Sequence, residues 1–221
     1  MPRRPSAPRP STSGPLTGPT PPFPLRVSGK VISGFGRGSK ELGIPTANIP
    51  VAGLSVGGHD DVESGVYFGW AGLVSKPDTD GAEASEKLDG SAVDGKGAED
   101  LSGHGQVYPM VMSIGWNPFY KNTVRSVEVH LLHDFTSDFY GSHLNLLILG
   151  FIRPEYDYVD RDSLIEDIRT DIEVSRRSLE RDAWATWKTD EGLLSPPSAK
   201  AGRNLDGDGE GKKVAAGDVV V

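Results

Sequence analysis

Apolar positions fall in five short stretches separated by turn-forming residues: Leu25–Ile32, Val66–Val74, Val107–Gly115, Ser126–His133 and Leu144–Ile152. Each has strand length and is bounded by Gly, Pro, Asn, Asp or Ser, which predicts β-strands. In Ser126–His133 the alternation is clear. Val127, Val129 and Leu131 take one face, and Glu128, His130 and Leu132 take the other. Residues 144–149 are almost continuously apolar, which suits either a strand buried on both faces or a short buried helix. The period changes near residue 163. Ser163 and Glu166 have capping-box spacing, and Leu164, Ile165, Ile168, Ile172 and Leu179 follow roughly along one stripe. Trp184 and Trp187 then stand ready to pin the helix end, as packing residues. Many short strands and one terminal helix predict a closed or nearly closed antiparallel barrel.

Three segments break this pattern. Residues 1–24 form a Pro/Ser-rich leader; eight prolines and three arginines, with no acidic residue, precede position 23. Residues 76–105 hold eight acidic residues, six glycines, three lysines and no Phe, Tyr or Trp. Residues 190–221 are rich in Gly, Asp, Lys and Ala. None offers enough apolar surface to offset the entropy of ordering, so all three are expected to be disordered. The middle one interrupts two strand-like runs, and loop closure grows costly only slowly with length. It is therefore read as an insertion in one domain spanning 25–189.

Composition narrows the function classes. The chain has 221 residues, no cysteine and a net charge of −8. No disulfide or thiolate metal site can form, and a general nucleic-acid binder is disfavoured. No apolar run has the length of a membrane span. The leader lacks a secretory core. Its want of acids suits an organellar transit peptide, but its prolines oppose an amphipathic helix. A cytoplasmic monomer is expected.

The chemistry concentrates between Gly34 and Asn48. Gly34, Gly36 and Gly38 alternate around Arg37, with Lys40 just beyond. Such a loop lets backbone N–H groups approach an anion closely, although a plain glycine turn between strands fits as well. It is neither a Walker A loop nor a dinucleotide fingerprint. Pro45 then holds Ile44 extended. In an extended run Thr46 and Asn48 point the same way and offer a hydroxyl and a carboxamide oxygen. These are hard ligands for Mg²⁺ when substrate phosphates supply the charge, or else turn-closing side chains. Glu128 is a candidate general base, or a carboxylate on a solvated sheet face.

The run Gly34-Phe35-Gly36-Arg37-Gly38-Ser39-Lys40 followed by Leu42-Gly43-Ile44-Pro45-Thr46-Ala47-Asn48 resembles the signature of the riboflavin kinase family. Further segments fit the same family in the same order. They are Gly65–Ala71, Ser113–Asn122, Glu128-Val129-His130, Asp138–Gly141 and Gly150–Glu155. The resemblance implies a six-stranded Greek-key barrel with a C-terminal helix packed on it, acting on ATP and riboflavin to give FMN. It implies Glu128 as base on the ribityl 5′-hydroxyl, and Gly34, Gly36 and Lys40 around the ATP phosphates. Thr46 and Asn48 would hold Mg²⁺, or Zn²⁺ or Mn²⁺ in its place. Residues 134–141 would form a mobile flap near the flavin, with Tyr140 and Arg153 as flavin contacts. Arg153 could equally pair with Glu155 or Asp157 at the surface. Trp116, Phe119 and Tyr120 would line a flavin slot, or serve as core and turn residues. His130 and His133 are read as structural. Only about 24 residues precede the first strand, so no fused adenylyltransferase domain and no FAD synthesis are expected. The rival readings are a flavin-binding barrel without catalysis and an unrelated barrel with partner-recruiting arms.

Overall fold

The computed structural model describes residues 2, 4–5, 7–32, 43–50, 62–74, 105–116 and 125–196. Its strands are β1 (Leu25–Lys30), β2 (Ala47–Pro50), β3 (Gly65–Val74), β4 (Gln106–Trp116), β5 (Arg125–Leu131) and β6 (His143–Pro154). They form one antiparallel sheet in the order β1-β6-β3-β4-β5-β2. β3, β4 and β5 are successive neighbours and β6 returns to lie beside β3, which is a Greek key. The sheet curls into a half-barrel, and its edges meet where Ile32 bridges Asn48. The five expected strands are present within a few residues. The sixth, β2, is the extended segment that follows Pro45.

Two apolar layers explain the unbroken runs of β3 and β6. Tyr67, Ala71, Leu144, Leu146 and Ile148 point into the barrel, with Met110, Met112, Ile114, Val127 and Val129. Phe68, Trp70, Leu147 and Leu149 point outward and are covered by Leu179, Trp184 and Leu193. Residues 144–149 are thus a strand buried on both faces. Each buried side chain of this size contributes about 1.5–3 kcal/mol relative to exposure.

The outer layer is capped by α1 (Arg161–Leu179), by α2 (Asp182–Ala185) and by two 3₁₀ turns ending at Leu194. Two expectations about α1 are corrected. Its N-cap is Asp160, whose carboxylate accepts from the Ser163 N–H at 2.7 Å, so the helix starts three residues earlier than a box at Ser163 would set it. Its buried residues are Asp167, Asp171, Val174, Ser175, Ser178 and Leu179. Leu164, Ile165, Ile168 and Ile172 are only partly covered. A mainly polar face is buried because every polar group on it finds a partner. Ser175 donates to the Met110 carbonyl at 2.9 Å. Asp171 takes Arg153 at 2.8–3.1 Å, and Asp167 accepts from the Tyr158 hydroxyl at 2.9 Å.

The leader supplies the remaining partners, so the expectation of a disordered 1–24 is corrected for its described residues. Arg9 donates to Asp171 at 2.5 Å and to the Asp167 carbonyl at 3.0 Å, and Arg4 donates to Asp167 at 3.0 Å. Ser13 bonds Ser178 and the Phe151 carbonyl. Arg181 reaches back to the carbonyls of Ser13, Gly14 and Pro15, and Trp184 Nε1 donates to Pro15 at 3.0 Å. Gly14 takes a positive φ of 77°, and a Cβ there would lie 2.4 Å from the Trp184 ring. Proline-rich backbone needs no ladder partner, and its arginines find buried carboxylates that composition alone does not reveal. The expected tail also starts late. Asp190 pairs with Arg26 at 2.6 Å, Leu193 is buried, and Asn145 donates to the carbonyls of Leu193 and Ser195. Of the insertion, only Gly105 is described; residues 76–104 lie outside the described residues, as do 197–221.

Candidate active site

β2 and β5 pair in a register that places Asn48 directly opposite Glu128. Ala47, Ile49, Val127 and Val129 are the inward residues of this pair. Asn48 and Glu128 therefore share the outer face, and directly opposite residues have Cβ atoms about 4.5–5.5 Å apart. Continued by one step, the register sets Thr46 opposite His130. Ser113 of β4 flanks Glu128 on the other side, followed by Val66 and Arg153. The two candidate oxygen ligands and the candidate base thus lie side by side, although they are far apart in sequence.

Glu128 is half-buried, and burial raises its carboxyl pKa. A second carboxylate stands close. Glu155 Oε1 lies 2.3 Å from where a Cβ on Gly115 would be, so any side chain at 115 would displace it. Burial raises the Glu155 pKa; Arg125 and Arg153 pull it down, while the charge of Glu128 pushes it up. Arg125 faces inward at the barrel mouth, only 5% exposed, and its Nε has no hydrogen-bond partner among the described residues. Its guanidinium sits 5.9 Å from the ring of exposed Trp116, and burial lowers its pKa. Tyr67, whose hydroxyl donates to the Glu63 carbonyl at 2.7 Å, has its pKa pushed up to about 12 by burial.

The segment that carries Thr46 and Asn48 is held at several points. Ile44, Ala47 and Ile49 are buried, and the Ile32 N–H donates to the Asn48 carbonyl at 3.0 Å. His130 Nδ1 lies 2.9 Å from the Pro45 carbonyl. The same end of the barrel carries residues 132–142. Here Phe135 contacts Phe139 and Tyr108 at 4.8 and 5.2 Å, and the Gly141 N–H donates to the Val31 carbonyl. Tyr140 is 46% exposed beside these anchors.

Gly34, Gly36 and Lys40 lie outside the described residues, as do Phe119 and Tyr120. The backbone entering the glycine loop is fixed beside the site by the Ile32–Asn48 bridge. Arg153 is not at the surface and does not pair with Asp157. It is 6% exposed, bound to Asp171, and lies 4.9 Å from the Tyr156 ring. Burial lowers its pKa most, but the Asp171 bond together with the charges of Asp171, Tyr158 and Asp167 leaves it raised. Sequence reasoning passed over Arg125 and the His130 contact, and named Glu155 only as a surface partner of Arg153. The alternation Arg125-Val127-Val129-Leu131 did carry a signal for the first, since it turns a charge inward.

Thr46 and Asn48 fit a divalent ion of the hard, oxygen-seeking kind. Among the described residues no group of three or more His, Cys, Asp or Glu could hold a metal by itself. The donor set therefore suits an ion that arrives with nucleotide phosphates.

Residues 21–179 match the family model described as riboflavin kinase. The chain belongs to the riboflavin kinase family. A riboflavin kinase of Pyricularia oryzae is 50% identical over 188 residues, covering 85% of this chain and 86% of that protein. One from Chaetomium globosum is 49% identical, covering 96% and 90%. The crystal structure of riboflavin kinase from Trypanosoma brucei superposes with a TM-score of 0.52 at 24% identity, covering 79% of this chain and 92% of that one. That likeness establishes the riboflavin kinase fold. No helix among the described residues is long and apolar enough to cross a membrane.

Proposed function

We propose that this chain transfers the γ-phosphate of ATP to the ribityl 5′-hydroxyl of riboflavin, giving FMN and ADP. The observation that carries the residue roles is the direct pairing of Asn48 with Glu128 across β2 and β5. Glu128 accepts the hydroxyl proton as the ribityl oxygen bonds to the γ-phosphorus and the bond to the β-phosphate oxygen breaks. Its raised pKa brings it closer to neutrality, where a general base works best. Thr46 and Asn48 would hold a divalent ion, Mg²⁺ or else Zn²⁺ or Mn²⁺, which would neutralise phosphate charge when bound. Gly34, Gly36 and Lys40 cradle the phosphates. Tyr140 offers its exposed ring to the flavin, and Arg153 supports the sheet at the site through Asp171. The protein acts as a cytoplasmic monomer.

The test is FMN formation from riboflavin and ATP, with and without Mg²⁺, for the wild type and Glu128→Gln. Metal-dependent FMN with equimolar ADP is expected from the wild type. Glu128→Gln should bind riboflavin normally and lose about 10²–10⁴-fold in kcat, the usual worth of a positioned base. Wild-type turnover in that variant would remove Glu128 from the mechanism. Flavin binding without any product would instead favour a non-catalytic flavin-binding barrel.

A further inference from the structure

Arg125 is a buried charge that the phosphoryl transfer leaves unused. It stands at the start of β5, directly opposite Trp116, and is only 5% exposed. Its Nε has no hydrogen-bond partner, the one buried side-chain polar atom in that state among the described residues. Buried donors in native proteins are nearly always paired, so an orphan on a charged group marks a place for an acceptor. Three features say which acceptor. The ring of Trp116, 41% exposed, lies 5.9 Å from the guanidinium and offers a flat apolar face at the barrel mouth. The carboxylate of Glu155 sits over Gly115, whose missing side chain makes room for it. Arg125 and Glu155 attract each other, yet no ion pair or hydrogen bond joins them among the described residues. A donor, an acceptor and a stacking face therefore stand near one another without satisfying one another. This suits a planar heterocycle whose edge carries both carbonyl and N–H groups. It does not suit a bare anion, which Glu155 would repel. The imide edge of a flavin ring, with its N–H between two carbonyls, has that pattern. Arg125 lies three residues before Glu128, about 10 Å along the strand. That is within the reach of a ribityl chain that leaves the ring and ends with its 5′-hydroxyl at Glu128.

Resting on the reading of riboflavin as the substrate, we propose that Arg125 and Glu155 read the imide edge of the flavin ring, Arg125 donating to a ring carbonyl and Glu155 accepting from the imide N–H, with Trp116 against the ring face. They determine specificity for the flavin and take no part in phosphoryl transfer. The ring then lies toward the start of β5, at the opposite end of that strand from residues 132–142 and Tyr140.

The test measures binding of riboflavin and of riboflavin methylated at the imide nitrogen, by quenching of flavin fluorescence, and binding of Mg²⁺–ADP by calorimetry. Wild type, Arg125→Met, Arg125→Lys, Glu155→Met, Glu155→Gln and Tyr140→Ala are compared. Arg125→Met should weaken riboflavin by about 10–100-fold, the loss of one charge-assisted bond, and leave Mg²⁺–ADP affinity unchanged. Arg125→Lys, which returns a cationic donor, should recover part of the loss. The Tm of apo Arg125→Met should hold or rise, since an unpaired buried cation is removed, whereas a purely structural arginine would lower it. Glu155→Met should weaken riboflavin similarly, and Glu155→Gln, which keeps an acceptor oxygen, should recover most of it. Methylation of the imide nitrogen should cost the wild type about 10-fold and cost Glu155→Met little. Should Arg125→Met fail to fold, the Glu155 variants with the methylated flavin carry the same contrast. Wild-type riboflavin affinity in Arg125→Met, or an equal methyl penalty in wild type and Glu155→Met, would overturn the proposal. So would a loss confined to Tyr140→Ala, which would place the ring at the other end of β5. A wild type that binds no flavin would instead refute the substrate reading on which the proposal rests.

Discussion

Arg153 separates two accounts of the sheet end beside the site. If its guanidinium is a structural partner of α1, Arg153→Ala leaves Asp171 buried at 2% exposure with one cation fewer. Removing one member of a buried ion pair costs about 3–5 kcal/mol. Asp171 keeps Arg9 at 2.5 Å, so the loss should fall at the low end, about 3 kcal/mol. For a chain of this size each kcal/mol moves Tm by about 2–4 °C, which gives a fall of roughly 6–12 °C. Arg153→Ala with Asp171→Ala should lose less than the two single losses combined, because the double variant strands no charge. Arg9→Ala breaks the charge-assisted bond to Asp171 and a second bond to the Asp167 carbonyl, and should cost at least about 1.5–3 kcal/mol. Thermal unfolding by circular dichroism gives the stabilities, and riboflavin KM is measured well below each midpoint. An unchanged Tm with a riboflavin KM raised about 10-fold, some 1.4 kcal/mol of binding, would refute the structural account. It would return Arg153 to the flavin.

Two further outcomes follow from the geometry. Burial raises the folded-state pKa of Glu128 above its unfolded value, so the ionised carboxylate destabilises the fold. That penalty is absent below the unfolded pKa and complete above the folded one. Glu128→Gln removes it, so the apo variant should melt higher than wild type at neutral pH, and the gain should vanish as pH falls through the carboxylate range; a variant less stable at pH 7 than at pH 4, relative to wild type, contradicts this. The second outcome concerns the insertion. Leu73 faces Gln106, and the Gly105 N–H donates to the Leu73 carbonyl at 2.7 Å, so the hairpin ends are already adjacent. Ser113, opposite Glu128, lies about 23 Å along β4 from Gln106 at the strand rise. Replacing residues 76–104 with a two-residue turn should leave kcat and both KM values within about 2-fold of wild type, a difference of some 0.4 kcal/mol. A 10-fold fall in kcat would show that the insertion reaches the site.

The barrel was legible in the chain because strand burial is local. Val127, Val129 and Leu131 declare their inward face by period, and the double burial of residues 144–149 appears as an unbroken apolar run. The helix was legible in existence but not in orientation. Its stripe of Leu164, Ile165, Ile168 and Ile172 was taken for the buried face, whereas Asp167, Asp171, Ser175 and Ser178 are covered. Hydropathy assigns such residues to solvent unless partners are known. Their partners include Tyr158, Arg153 and the Met110 carbonyl, and also Arg4, Arg9 and Ser13 in a leader whose composition suggested disorder. Leader and helix each look wrong alone, and each is explained by the other.

The candidate site was legible as separate pieces for a related reason. Residue types and local extension marked Thr46 and Asn48, and the strand pattern put Glu128 on an outer face. Neither observation relates the two places. Register does so, and register is set by the buried set: a one-residue slip of β2 against β5 would send Ala47 and Ile49 outward and Asn48 inward. Burial of Ala47 and Ile49 thus selects the alignment in which Asn48 meets Glu128. β2 is only four residues long, with Thr46 outside its ladder. The core thus fixes the face on which Asn48 stands opposite Glu128.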